Sequence, residues 1–82
     1  MSRSVTKINL PKSGMGIEEG TVARWLKATG DRVTQGEVLV EVETAKAIQE
    51  VEAPVSGKLV QILVQAGHCV PVNTTLGVID PD

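Results

Sequence analysis

Shifted by 37 positions, this chain of 82 residues overlays itself. Gly20 falls on Gly57, Leu26 on Leu63, Gly30 on Gly67, Val33 on Val70 and Leu39 on Leu76. Val22/Leu59, Trp25/Ile62 and Val42/Ile79 match in apolar character at the same offset. The identities fall on turn glycines and on residues suited to a core. Two similar halves that each lack a complete core must pack on each other, as repeat units do. The expected product is two sheets face to face with pseudo-twofold symmetry.

Composition agrees with sheets. Hydrophobic residues make up 41% of the chain, yet Trp25 is the only aromatic. The core must therefore be aliphatic, and the β-branched residues that dominate it favour strands. Eight glycines and four prolines in so short a chain mark frequent reversals. An all-β domain follows, with strands expected near Val5–Leu10, Thr21–Lys27, Val38–Thr44, Ala47–Glu52, Lys58–Gln65 and Val70–Ile79. Pro11 through Gly20 reads as an exposed loop, and Thr29-Gly30-Asp31 and Gly67-His68 read as turns. Val22, Trp25, Leu26 and Thr29 do share a helical spacing, with Gly30 placed to cap it. The repeat partner Leu59–Val64 is strand-like, so both segments are taken as strands.

The same composition excludes several functions. A net charge of −2 with no basic run and one aromatic gives nucleic acid nothing to bind. No apolar stretch approaches the ~20 residues that span a bilayer, and no signal-peptide core is present. Cys69 is the single cysteine, which precludes an internal disulfide and suits a reducing compartment. One domain is expected over residues 1–82, with its core from about 5 to 80. It is expected to be soluble, intracellular and monomeric in isolation.

Lys46 is the candidate functional residue. It stands between Ala45 and Ala47, flanked by strand-like segments, where a hairpin tip would hold its amine out to a modifying enzyme. Glu41, Glu43, Glu50 and Glu52 surround it, and residues 41–52 carry a net charge of −3. Carboxylates favour the ammonium form, which argues against Schiff-base or general-base catalysis by this lysine. An amine acylated by a separate enzyme is unaffected. The acids have a plain alternative reading, since charge on strand edges blocks aggregation. A strict two-residue loop at Ala45-Lys46 would set Glu41 opposite Glu50, where like charges destabilise.

Other candidates fail on geometry. His68 and Cys69 are adjacent, and strand neighbours point to opposite faces, so they cannot act as base and nucleophile. One His and one Cys are too few for a zinc site. Gly14-Met15-Gly16 begins a dinucleotide fingerprint, but Glu19 occupies its third glycine position. No catalytic constellation is visible.

The stretches Pro11-Lys12-Ser13-Gly14-Met15, Glu19-Gly20-Thr21-Val22, Trp25-Leu26-Lys27, Gly30-Asp31 and Gly36-Glu37 stand in the order and spacing of a known family. So do Glu41-Val42-Glu43-Thr44-Ala45-Lys46-Ala47 and Pro54-Val55-Ser56-Gly57. The chain resembles the lipoyl domains of 2-oxoacid dehydrogenase acyltransferases from about Ile8 to Ile79. The resemblance implies a flattened barrel of two four-stranded antiparallel sheets. It implies lipoic acid joined by an amide to Lys46 at a tip that includes Thr44, Ala45 and Ala47. Glu43 and Gly57 match family positions read by the lipoylating enzyme, a lipoate ligase or an octanoyltransferase with lipoyl synthase. The loop Lys12, Ser13, Gly14, Met15, Gly16, Ile17, Glu18 and Glu19 matches the one that meets the decarboxylating partner. Ala45 departs from the pattern, because many members have aspartate there; partner choice is what this change affects.

By the same resemblance, the partners are a thiamine-diphosphate 2-oxoacid decarboxylase, an acyltransferase domain that delivers to coenzyme A, and dihydrolipoamide dehydrogenase. The carrier contributes delivery through a tether rather than chemistry of its own. The setting would be bacterial cytoplasm or the mitochondrial matrix, and the chain is expected to be a module of a larger acyltransferase. Three rivals stand beside this reading. A biotin carrier has methionines flanking its lysine, where alanines stand here. The glycine-cleavage carrier is longer. An unmodified structural barrel-sandwich module needs no cofactor.

Overall fold

The computed structural model describes residues 4–11 and 17–82. Their regular structure is strand: β1 (Thr6–Asn9), β2 (Glu19–Trp25), β3 (Arg32–Val33), β4 (Val38–Glu43), β5 (Ile48–Glu52), β6 (Gly57–Ile62), β7 (Cys69–Pro71) and β8 (Thr75–Pro81). They form two four-stranded sheets, ordered β1-β8-β6-β3 and β5-β4-β2-β7. All pairings are antiparallel. Exchanging β1–β4 with β5–β8 turns one order into the other, which is the pseudo-twofold relation expected from the repeat.

The symmetry reaches backbone detail beyond the matching side chains. β2 slips against β4 between Val22 and Arg24, and β6 slips against β8 between Leu59 and Gln61, 37 residues on. Gly30 and Gly67 share left-handed φ values of 99° and 94°. Gly36 (88°) is matched by Asn73 (70°), one of the few side chains that tolerates this region. The Gly30 N–H donates to Leu59 O at 2.7 Å, and the Gly67 N–H donates to Val22 O at the same distance. These paired bonds prolong equivalent ladders, β3 on β6 in one sheet and β7 on β2 in the other.

The bulges explain the helical spacing in the sequence. One extra residue on β2 breaks strict alternation, so Val22 and Trp25 fall three apart while both pair with β4. Asn73 likewise divides the segment expected as one strand, Val70–Ile79, into β7 and β8. β3, two residues long, lies just after an expected turn and was too short to signal itself. β2 begins at Glu19, inside the expected loop, and Ile17 is buried at 6% exposure. The loop therefore ends before Glu19, and Ile17 within it is buried where exposure was expected. Lys12, Ser13, Gly14, Met15 and Gly16 lie outside the described residues.

Between the sheets lies an aliphatic core that includes Ile8, Leu10, Val22, Val33, Leu39, Val42, Leu59, Leu76 and Ile79. Repeat partners enter it from opposite sheets: Leu39 and Leu76, Val22 and Leu59, Val42 and Ile79. Trp25 breaks the symmetry. Its indole N–H donates to Val64 O at 2.8 Å. Gly77 occupies the position that Val40 holds in the other half, and a Cβ there would lie 3.1 Å from the indole. The same Cβ would meet the Gln61 carbonyl oxygen at 2.8 Å, so the glycine admits the neighbouring strand as well as the ring.

Candidate functional site

β4 and β5 run antiparallel with Glu41 opposite Glu50, Val42 opposite Gln49 and Glu43 opposite Ile48. This register leaves Thr44–Ala47 as the turn, closed by the Thr44 N–H donating to Ala47 O at 2.9 Å. Ala45 and Lys46 are its two central residues, and Ala45, Lys46 and Ala47 are all exposed. The lysine thus stands at the crest of a two-residue hairpin between side chains too small to cover it. Neither central residue has positive φ, so the turn is not the left-handed kind that two-residue hairpins favour. The Thr44 hydroxyl compensates: it donates to Ala47 O (2.7 Å) and accepts from the N–H groups of Lys46 (3.4 Å) and Ala47 (3.2 Å).

Glu41 does face Glu50, the arrangement that like charges oppose. Relief comes from the other side of β4. Arg24 on β2 stands in register with Glu41, and its Nε donates to Glu41 Oε1 at 2.8 Å. β5 is an edge strand, so Glu50 and Glu52 also discourage strand addition along it.

Glu43 sits at the end of β4, opposite Ile48 on one side and Thr21 on the other. Thr21 in turn faces Cys69 on β7. A row of Ile48, Glu43, Thr21 and Cys69 therefore crosses the sheet below the tip. Beside it opens a groove of about 460 Å³ whose lining includes Ile17, Glu19, Thr21, Glu43, Thr44 and Cys69. The Cys69 thiol donates to Glu19 Oε2 at 2.8 Å. That bond raises its pKa, with burial and the carboxylate charge acting in the same direction and a Thr21 hydrogen bond opposing them. Cys69 answers to a carboxylate on a neighbouring strand, with His68 in the turn before it. This wall of the groove escaped the sequence because it depends on β7 pairing with β2.

Gly57 does not join the tip. β5 carries the chain away from Lys46 for five residues, ~17 Å at strand rise, before β6 opens at Gly57. There it pairs with Val33 and Pro81. A Cβ would overlap the Asp80 carbonyl oxygen and come within 2.8 Å of Pro81 Cα. The glycine beside the tip is its repeat partner Gly20, where a Cβ would meet Val42 Cγ1 at 2.5 Å. Among the described residues no group of three His, Cys, Asp or Glu is placed to hold a metal. Among the same residues no helix is long and apolar enough to cross a membrane.

Comparison with known proteins agrees with this geometry. The family described as biotin-requiring enzymes, which covers biotin and lipoyl attachment domains, matches residues 6–79. The succinyltransferase component of the 2-oxoglutarate dehydrogenase complex from Bartonella vinsonii subsp. berkhoffii is 43% identical over 75 residues, covering 92% of this chain and 18% of that protein. The chain spans 18–22% of the length of the first curated relatives it matches. The solution structure of the lipoyl domain of the 2-oxoglutarate dehydrogenase complex from Azotobacter vinelandii is 32% identical, with a TM-score of 0.73 over 93% of this chain and 98% of that one. Kluyveromyces lactis urea carboxylase superposes with a higher TM-score, 0.80, over 96% of this chain and 6% of that one. At 24% identity that likeness shows the shared fold alone. The chain belongs to the biotin and lipoyl attachment family and is a lipoyl domain, a carrier module without catalytic machinery of its own.

Proposed function

We propose that Lys46 is the attachment point of an amide-linked lipoyl group and that the 82-residue chain acts as one carrier domain, with its core from about 5 to 80. The observation that carries this reading is the tip itself. In a lipoyl domain, Lys46 crowns a two-residue hairpin between two exposed alanines. The residues present fit the group, since Ala45 and Ala47, exposed on either side of Lys46, are too small to cover it. When bound, the dithiolane supplies a site that accepts an acyl group together with two electrons. The chain's own residues hold that site at the end of a rigid sheet, so a tether on Lys46 sweeps a defined volume and raises the local concentration of its cargo.

Glu43 is assigned to contact with the lipoylating enzyme, because it ends β4 next to the tip and faces outward. Gly57 acts through the fold, by letting β6 and β8 approach at the far end. Glu18 and Glu19, on the groove side of the tip, are assigned with the neighbouring loop to recognition by a 2-oxoacid decarboxylase. The parent protein is assigned as the acyltransferase component of a 2-oxoacid dehydrogenase complex, working with that decarboxylase and with dihydrolipoamide dehydrogenase.

Intact and peptide mass after co-expression with a lipoate ligase tests the assignment. A lipoyl adduct on the Lys46 peptide, lost in Lys46→Arg along with reductive acylation by the decarboxylase, is the expected result. A biotin adduct, or full acyl transfer by Lys46→Arg, would sink it.

A further inference from the structure

The turn that presents Lys46 lacks the usual means of holding its shape. Two-residue hairpins are normally closed by central residues with positive φ, whose twist matches the strands. Ala45 and Lys46 do not adopt it, and their exposure leaves no packing to replace it. One backbone hydrogen bond, from Thr44 N–H to Ala47 O, spans the loop. The Thr44 hydroxyl adds three more contacts, one of them to the backbone N–H of Lys46 itself. The branched Cβ of threonine further restricts its χ1, so the hydroxyl is held where these bonds form. Thr44 is half-buried and follows directly on Glu43, the last residue of β4.

We propose that Thr44 is a positioning residue for the modification of Lys46: its hydroxyl fixes the backbone at the crest so that Nζ meets the acylating enzyme from one direction. The inference rests on Lys46 being the attachment site. In the step concerned, Nζ attacks the carbonyl carbon of an activated lipoyl donor held by that enzyme. An amide C–N bond forms, the activating group leaves with its bonding electron pair, and Nζ gives up a proton. A loop that samples several shapes offers the amine in the reactive direction for only part of the time, and the enzyme must meet the ordering cost itself.

The test compares Thr44→Val, which keeps the branched shape without the hydroxyl, with Thr44→Ser, which keeps the hydroxyl. Each 82-residue chain is treated with purified lipoate ligase, ATP and lipoic acid, well below its unfolding transition, and attachment is followed by mass. Thr44→Val should lower kcat/KM for attachment about tenfold, the scale of one or two lost hydrogen bonds, and should speed amide exchange at Lys46 and Ala47. Thr44→Ser should stay within about twofold of wild type on the same reasoning. Attachment to Thr44→Val at the wild-type rate, or Thr44→Ser as slow as Thr44→Val, overturns the inference alone. A wild-type chain that takes no lipoyl group overturns the attachment reading and this inference with it.

Discussion

At the scale of single residues, a neighbour several tens of positions away decides what a side chain can do. Cys69 is exposed and the only cysteine, which by itself suggests a reactive thiol. Its bond to Glu19 changes that, since the carboxylate accepts from the thiol and opposes formation of the thiolate. Reaction with iodoacetamide at neutral pH needs the thiolate, so Cys69 should react more slowly than a cysteine in an unstructured peptide. Replacing Glu19 with Gln removes the charge and weakens the bond, which moves the pKa down and the rate up. Alkylation followed by mass across pH should show Glu19→Gln reacting several-fold faster near pH 7, with convergence at high pH. Equal rates would mean that the Glu19 contact has no hold on the thiol in solution. Lys46 is the opposite case. Its exposed place at a hairpin crest was legible from local sequence, because an alanine-flanked lysine between two strand segments specifies its own surroundings.

Element scale shows where a local rule is broken and then mended by the next strand. The two-residue register sets Glu41 against Glu50, a pairing that β-sheet energetics disfavour by up to ~1 kcal/mol. Arg24 on β2 offsets it at 2.8 Å, although its side chain is 66% exposed and water screens much of the attraction. Arg24→Ala should therefore lower stability by about 0.5–1 kcal/mol, measured by urea unfolding. Glu50→Gln in the same background should recover most of that loss, and the recovery should shrink in high salt. A double variant no more stable than Arg24→Ala would show that the carboxylate pair is not the source. The hairpin itself was readable in advance, but its register was not, because a strict two-residue loop placed Glu41 opposite Glu50 and only the structure shows that it does so. Nor was its mending readable, because β2 and β4 meet only after the chain has turned back through β3. The bulge at Val22–Arg24 was hidden for a similar reason, appearing in the sequence as a helical period.

For the whole molecule, the decisive property is that neither half owns a sheet. β1 and β3 of the first half sandwich β8 and β6 of the second, and β5 and β7 flank β4 and β2. Cleavage between Ala45 and Lys46 divides the chain at the turn without removing a strand. Fragments 1–45 and 46–82 should each lack stable sheet structure alone, because each buries only half of a core whose sides are Leu39, Val42 and Val22 against Leu76, Ile79 and Leu59. Mixed at equal concentration they should regain the circular-dichroism and amide-shift signatures of the intact domain. A fragment that folds by itself would overturn the account of the repeat. The same interleaving places most contacts far apart in sequence, which predicts folding slower than that of a helical domain of equal length.

The repeat, the aliphatic composition and the turn glycines left one class of fold open, and the sequence around Lys46 marked an exposed hairpin tip. Those features are legible because each depends on residues close together in the chain, or on a regular spacing between two copies. Tertiary structure alone decided which glycine attends the tip. Gly20 and Gly57 are equivalent by repeat, yet the hairpin between β4 and β5 has no second copy, since its symmetry mate falls where β8 ends and β1 begins. Gly20 therefore lies beside Lys46 and Gly57 at the other end of the domain. Strand pairing also brought Thr21, Cys69 and Glu19 into one groove and set Arg24 against Glu41. These contacts join residues that nothing in the linear order brings together, and only the closing of two sheets on a shared core puts them within reach.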